Sequence, residues 1–192
     1  MRLFVAVNLD PALRAAVQAV RRRLVEAWPH GERLVKWVEP ENLHLTLKFL
    51  GEVGEGKAVD VLTALEGLAG RGEFYVRYAG LGAFPRARGA RVLWIGVTEG
   101  ADRLASLAAW VEDRLRPLGF PPEERPFSPH LTIGRLRTPA YHPELQRAVE
   151  REARVEVGSQ RVQSVEVMES VLRRQGPVYT VRASYRLGGP GA

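Results

Sequence analysis

Two of the four histidines in this chain begin nearly identical short sequences. His44 opens His-Leu-Thr-Leu, and His130 opens His-Leu-Thr-Ile 86 residues later. An imidazole has an unperturbed pKa of about 6.5, so near neutral pH one ring can act as a base and another as an acid. In-line cleavage of a phosphodiester needs such a pair on opposite sides of phosphorus. The hydroxyls of Thr46 and Thr132 could then donate to the oxygens where negative charge builds up.

Simpler explanations exist for each histidine taken alone. A single His-Leu-Thr is typical of a half-exposed strand residue without a chemical role, but a matched pair is hard to assign to chance. A zinc site would need a third or fourth ligand, and neither motif carries a His, Asp or Glu at alternate spacing beside its histidine. We therefore predict no metal and no cofactor. His30 and His142 adjoin prolines in loop-like sequence and are predicted to be surface residues.

The first motif has the pattern of a strand that is buried on one face. Successive strand residues point to opposite faces, so Leu45 and Leu47 are predicted to be buried together. His44, Thr46 and Lys48 then share the other face, which makes Lys48 a candidate phosphate contact.

The second motif follows the same rule, with Leu131 and Ile133 buried and with His130 and Thr132 on the opposite face. Alternation places Arg135 on the face away from His130, where a structural or rim role is expected. If the two motifs are related by an approximate two-fold axis, their His and Thr faces meet across a cleft.

The elements that would position these motifs alternate between strands and helices. Strands are predicted at 2–9, 44–51, 73–84, 90–97, 130–136, 161–172 and 178–187. Amphipathic helices are predicted at 10–28, 57–69, 101–119 and 143–152. Short connections and two hairpins favour antiparallel pairing. The expected class is α+β, with two pseudo-symmetric lobes, each a mainly antiparallel sheet with helices on one face, and a cleft between them.

The spacing of equivalent residues predicts an internal duplication within a single two-lobed domain, 1–192. Arg2 corresponds to Arg91 at an offset of 89, the histidines correspond at 86, and Phe74 corresponds to about Val162 at 88. The approximate copies are 2–84 and 91–172, followed by a closing strand at 178–187.

Composition narrows the functional classes. The chain has no cysteine, which excludes disulfides and thiolate metal sites. No segment has the length of a membrane span and the N-terminus does not resemble a signal peptide, so we expect a soluble, cytoplasmic protein without a membrane partner. The net charge of +6 favours a polyanionic partner. Most basic residues are Arg, which suits phosphate contacts but also fits a GC-rich genome.

The paired motifs resemble those of the two-histidine phosphoesterase superfamily. The stretches RLFVAVNL, ENLHLTLKFLG, SPHLTIGR and SVLRRQGPVY are similar to those of RNA 2',3'-cyclic phosphodiesterases, also called 2'-5' RNA ligases. This resemblance implies metal-independent hydrolysis of a terminal 2',3'-cyclic phosphate on RNA to a 2'-phosphate, with reversible 2'-5' joining of RNA ends such as tRNA halves. It implies that His44 is the proton donor and His130 the proton acceptor, with Thr46 and Thr132 in contact with the phosphate.

Three questions stay open at this point. The substrate could instead be a small cyclic nucleotide or ADP-ribose cyclic phosphate. A non-catalytic RNA-binding module would explain the arginines but gives no reason for two imidazoles. Phe127 and Tyr179 are candidate contacts for a stacked base, with core packing as the alternative for each. The expected partner is an RNA 3' end carrying a 2',3'-cyclic phosphate, bound by a monomer.

Overall fold

A computed structural model of the chain describes residues 1–85 and 89–188. Within these residues the strands are β1 (Arg2–Asn8), β2 (Val35–Trp37), β3 (His44–Glu52), β4 (Phe74–Phe84), β5 (Ala90–Glu99), β6 (His130–Ala140), β7 (Glu156–Val162), β8 (Ser164–Arg173) and β9 (Gly176–Arg186). The helices are α1 (Arg14–Ala27), α2 (Gly31–Leu34), α3 (Glu55–Ala64), α4 (Ala101–Leu115) and α5 (Pro143–Arg151).

The strands form one antiparallel sheet in the order β7-β4-β5-β6-β3-β1-β8-β9, and β2 pairs with β6. The predicted α+β class and antiparallel pairing are confirmed, and so are the hairpins β4–β5 and β8–β9. The two expected sheets are hydrogen-bonded neighbours rather than separate layers. They join where β3 meets β6, through the single registered pair Leu45 and Leu131. We call β3, β1, β8 and β9 the first lobe, and the remaining strands the second lobe.

The lobes do not coincide with the predicted sequence copies. Strand β4 lies in the first copy but pairs with β5 and β7, and β8 lies in the second copy but pairs with β1. The strand predicted at 161–172 corresponds to β8, but β8 begins only at Ser164, because Gln163 separates it from β7. Val162 is the cross-strand partner of Phe74. The duplication stays a prediction, with which the symmetric strand order about the β3–β6 junction agrees.

The core lies on the face of the sheet that the helices cover. Helix α1 buries Val17, Val20 and Leu24. The chain enters it through a 3-10 turn, in which the Asp10 carboxylate accepts from the backbone N–H of Ala12 at 2.9 Å. On the other side of the junction, α4 packs against β3. Both lobes therefore share one apolar core that runs beneath the β3–β6 junction.

A β-bulge directly follows the His-Leu-Thr sequence in each of the two strands that carry the histidines. In β3 the partners of Thr46 and Lys48 are consecutive residues of β1, so Leu47 is an extra residue. In β6 the partners of Thr132 and Gly134 are consecutive residues of β5, so Ile133 is the extra one. A bulge reverses the alternation of faces beyond it. The face assignments made from the sequence therefore hold up to the bulges and fail after them.

No helix in residues 1–85 and 89–188 combines the length and the hydrophobicity that a membrane crossing requires.

Candidate functional site

The β3–β6 junction brings the two histidine motifs together. Because Leu45 pairs with Leu131 in an antiparallel register, position 44 lies opposite 132 and position 46 opposite 130. The two leucines are buried, so the neighbouring His44, Thr46, His130 and Thr132 share the opposite face. We call this surface the cleft face. The histidines lie on its diagonal, where the Cβ atoms of a regular sheet are about 7–8 Å apart.

Both histidines are held by the same backbone contact. Nδ1 of His44 lies 2.7 Å from the carbonyl oxygen of Asn42, and Nδ1 of His130 lies 2.8 Å from that of Ser128. A carbonyl oxygen only accepts hydrogen bonds, so Nδ1 of each ring carries the proton and donates it. Each Nε2 is then the nitrogen left for chemistry.

The carbonyl that holds His44 belongs to a well-anchored turn. Residues Pro40–Asn42 form a 3-10 turn, and the buried side chain of Asn42 donates from Nδ2 to the carbonyl oxygen of Pro177 at 3.0 Å. This bond ties the turn before β3 to the start of β9. It thereby helps to place Tyr179, which lies two residues further along β9, against the His44 ring.

Aromatic rings surround the half-buried His44. Its ring centroid lies 4.9 Å from that of Phe4 and 5.4 Å from that of Tyr179, the latter edge-on. Its Nε2 lies 3.0 Å from Oγ1 of Thr46, which donates to the neutral ring and would accept from the charged one. Burial lowers the pKa of His44, the Asn42 carbonyl opposes that shift, and the positive charge of Arg135 adds to it.

His130 has a different environment from His44. It is exposed, and its partner on β5 is Gly96, which has no side chain to cover the ring. Thr132, the neighbouring cleft-face residue of β6, lies opposite Trp94. One histidine is thus packed among rings while the other opens to solvent.

Lys48 is not on the cleft face, and its prediction as a phosphate contact is wrong. The β3 bulge turns its side chain toward the helices, where Nζ forms an ion pair with Glu112 and donates to the carbonyl oxygen of Pro121 at 3.0 Å. The Lys48 side chain is 2% exposed. This lysine anchors α4 and the segment that follows it to β3.

Arg135 lies on the cleft face, and its predicted position on the opposite face is wrong. The β6 bulge leaves both Ile133 and Gly134 buried and returns Arg135 to the exposed face. Burial lowers the pKa of His44 and raises that of Tyr179, and the positive charge of Arg135 adds to the first shift and opposes the second. Sequence alternation could not reveal this residue, because nothing in the pattern of side chains marks the bulge.

The two aromatic candidates have different surroundings. Tyr179 packs edge-on against Phe4 and His44, and burial raises the pKa of its hydroxyl. Phe127 is partly buried against the core, as its packing alternative predicted. Of the remaining histidines, His30 is exposed, but His142 is half-buried with its ring 5.0 Å from that of Trp28, so its assignment to the surface is wrong.

The cleft face can hold a tetrahedral anion between two imidazoles. It offers Nε2 of His44, the exposed ring of His130, the hydroxyls of Thr46 and Thr132, and the positive charge of Arg135 nearby. Among the residues that the structure describes, no three His, Asp or Glu side chains are grouped as metal ligands would be. These groups fit acid–base chemistry on a phosphate ester.

The chain is similar to known phosphoesterases in sequence and in structure. The sequence matches the profile of the LigT like phosphoesterase family twice, over residues 8–94 and 95–179. It is 39% identical to the RNA 2',3'-cyclic phosphodiesterase of Methanothermobacter thermautotrophicus over 97% of this chain and 99% of the relative. The crystal structure of a Thermus thermophilus protein, TT0787, is similar, with a TM-score of 0.80, 31% identity and coverage of 98% and 99%. E. coli LigT complexed with 3'-AMP has a TM-score of 0.76, 26% identity and 97% coverage of both chains.

Single substitutions of Lys48 and Arg135 by methionine should distinguish a residue that stabilises the fold from one that binds anions. Lys48→Met leaves Glu112 without its partner and should lower the free energy of unfolding by about 2 kcal/mol, measured by urea denaturation. It should leave the affinity for inorganic phosphate unchanged. Arg135→Met should weaken phosphate binding and leave stability within about 0.5 kcal/mol, because its side chain is exposed. If the Lys48 variant is fully folded and still binds phosphate more weakly, Lys48 would again be assigned as a phosphate contact.

Proposed function

Because the chain belongs to the LigT-like phosphoesterase family, we propose that it hydrolyses the terminal 2',3'-cyclic phosphate of RNA to a 2'-phosphomonoester. The observation that carries this proposal is the pair of imidazoles on one diagonal of the cleft face, each with Nδ1 bound to a carbonyl oxygen. Relatives at 38–40% identity over most of the chain are named for this activity. The net charge of +6 suits a polyanionic substrate.

In the proposed reaction His130 acts as the base and His44 as the acid. Nε2 of His130 takes a proton from a water molecule whose oxygen attacks phosphorus. The new O–P bond forms as the bond from phosphorus to the 3' oxygen breaks, and Nε2 of His44 gives its proton to that oxygen. The product carries the phosphate on the 2' oxygen. His130 suits the base because its exposed position admits water.

The same residues could catalyse 2'-5' joining of RNA ends, such as tRNA halves. A 5' hydroxyl then replaces water as the nucleophile, His130 takes its proton, and His44 again protonates the departing 3' oxygen. The reverse reaction exchanges the two roles. Thr46 and Thr132 donate to the non-bridging oxygens, and Arg135 balances the charge that develops there.

The role of His44 as acid needs a bound anion. Burial lowers its pKa below the usual 6.5, so at pH 7 the ring in the free protein is mainly neutral. A proton donor must enter the reaction charged. A phosphodiester beside Nε2 supplies the negative charge that favours the imidazolium ion and raises this pKa again. Substrate binding would therefore favour the protonated form of His44, which the acid role requires.

Substitution of either motif histidine by alanine should reduce turnover of an oligonucleotide that ends in a 2',3'-cyclic phosphate. The expected loss in kcat is at least about 10²- to 10⁴-fold for His44→Ala and for His130→Ala, because each removes one proton transfer. Release of the 2'-phosphate is the measurement, and circular dichroism checks the fold. His30→Ala is the matched control, since His30 is exposed and outside the site. Undiminished turnover in either motif variant would overturn the pairing.

Turnover should also survive removal of divalent metals. The proposed charges come from Arg135 and from protonated His44, so dialysis against a chelator should leave kcat unchanged within twofold. Zinc or magnesium added back should give no increase. A loss of activity in chelator that zinc restores would instead require a metal at this site.

Titration of His44 by nuclear magnetic resonance should show the effect of a bound anion directly. In the free protein its ring should lose its proton below pH 6.5, because burial disfavours the charged form. Saturating inorganic phosphate should move that transition to higher pH, because the anion stabilises the charged ring. A transition that phosphate leaves unmoved would contradict the assignment of His44 as donor.

A further inference from the structure

We propose that Trp94 is the stacking platform for the base of the nucleotide that carries the cyclic phosphate. This inference rests on the proposed function and names where its substrate is recognised. Trp94 lies on β5 directly opposite Thr132, and its other cross-strand neighbour is Gly82 on β4. Leu93 and Ile95, on either side of it, are buried in the core, so Trp94 points to the cleft face.

The indole of Trp94 lies flat over the neighbouring strand. A Cβ atom added to Gly82 would lie 2.2 Å from Cζ2 of the indole and 2.3 Å from Cη2. On its own strand, a Cβ on Gly96 would lie 3.5 Å from Cζ3. Neither glycine has a positive φ, so the backbone does not require glycine at these positions. What they provide is space for the ring, which leaves one indole face toward the cleft.

A cavity of about 540 Å³ is lined in part by Trp94. Its lining includes Trp94, Gly82, Tyr141 and the α5 side chains of Gln146 and Glu150. The Gln146 amide donates to one carboxylate oxygen of Glu150 at 3.1 Å. The amide oxygen and the second carboxylate oxygen are acceptors for the amino group of a base. A volume of this order suits one small ligand such as a nucleotide.

Distance favours the terminal nucleotide over the one before it. Trp94 is one strand from Thr132 and its ring extends toward the next strand, away from β6, so the indole is about 5–10 Å from Thr132. A nucleotide whose phosphate contacts Thr132 could therefore place its own base on the indole. In the first lobe, Tyr179 is packed against His44 and Phe4 and is less available for stacking.

The first test compares ligands with and without a base. Trp94→Ala should weaken binding of adenosine 2'-monophosphate by about 5- to 150-fold, the range for loss of one base–aromatic stack, measured by titration calorimetry. Ribose 2-phosphate, which lacks the base, should bind both proteins equally. Trp94→Phe should recover part of the affinity. Equal affinity of wild type and Trp94→Ala for the nucleotide, or equal weakening of both ligands, would overturn the platform.

Two further variants distinguish a loss of base stacking from a general loss of structure. Gly82→Ala keeps the indole but forces it off the strand, and it should also weaken the nucleotide selectively. Tyr75→Ala removes an exposed aromatic side chain that lies on the same strand as Gly82, about 23 Å along it, and should change nothing. Thermal unfolding identifies any variant that fails to fold.

Kinetics then locate the base that stacks. With RNA ending in a 2',3'-cyclic phosphate, Trp94→Ala should raise KM about 5- to 150-fold and leave kcat within a few fold. Removal of the terminal base should abolish this difference between the two proteins, and removal of the penultimate base should not. The opposite pattern would overturn the assignment. If wild type binds the nucleotide through Trp94 but hydrolyses no cyclic phosphate, the proposed reaction fails and the platform stands.

Discussion

The contact between β3 and β6 is the constraint on which the rest of the structure depends. Only Leu45 and Leu131 are in register there, yet this pair determines which four residues surround it on the cleft face. A slip of one residue would send the leucines to that face and the histidines into the core. Burial of the two leucines, both less than 2% exposed, therefore enforces the register that brings the two histidines together.

The same strands show how far the sequence could predict the site. Alternation correctly placed both His–Thr pairs, because each lies before its bulge. It misplaced Lys48 and Arg135, which follow the bulges, since an extra residue leaves no mark in a pattern of apolar and polar side chains. Strand β7 was missed for a related reason. Its Gly158, Ser159 and Gln160 read as loop residues, whereas Gln160 is buried through bonds to Asp10 and Tyr78, partners remote in sequence.

With the faces corrected, β3 and β6 carry different residues at equivalent positions after their bulges. The first residue after the bulge points to the core in both strands, as Lys48 in β3 and as Gly134 in β6. Lys48 anchors α4, whereas Gly134 leaves room for β2, since a Cβ there would lie 2.6 Å from Cγ1 of Val35. The next residues, Phe49 and Arg135, are the exposed ones. The positive charge of the site therefore belongs to the second lobe, which also carries Trp94.

Identical motifs can take different roles because their neighbours differ. The carbonyl two residues upstream holds each Nδ1, so both rings present the same nitrogen and the backbone cannot distinguish acid from base. The rings of Phe4 and Tyr179 cover part of one imidazole, and Gly96 leaves the other open. Water has to reach the base, while the acid needs only the departing oxygen. Accessibility, rather than the pKa of the free protein, is thus the property of this site that supports His130 as base and His44 as acid.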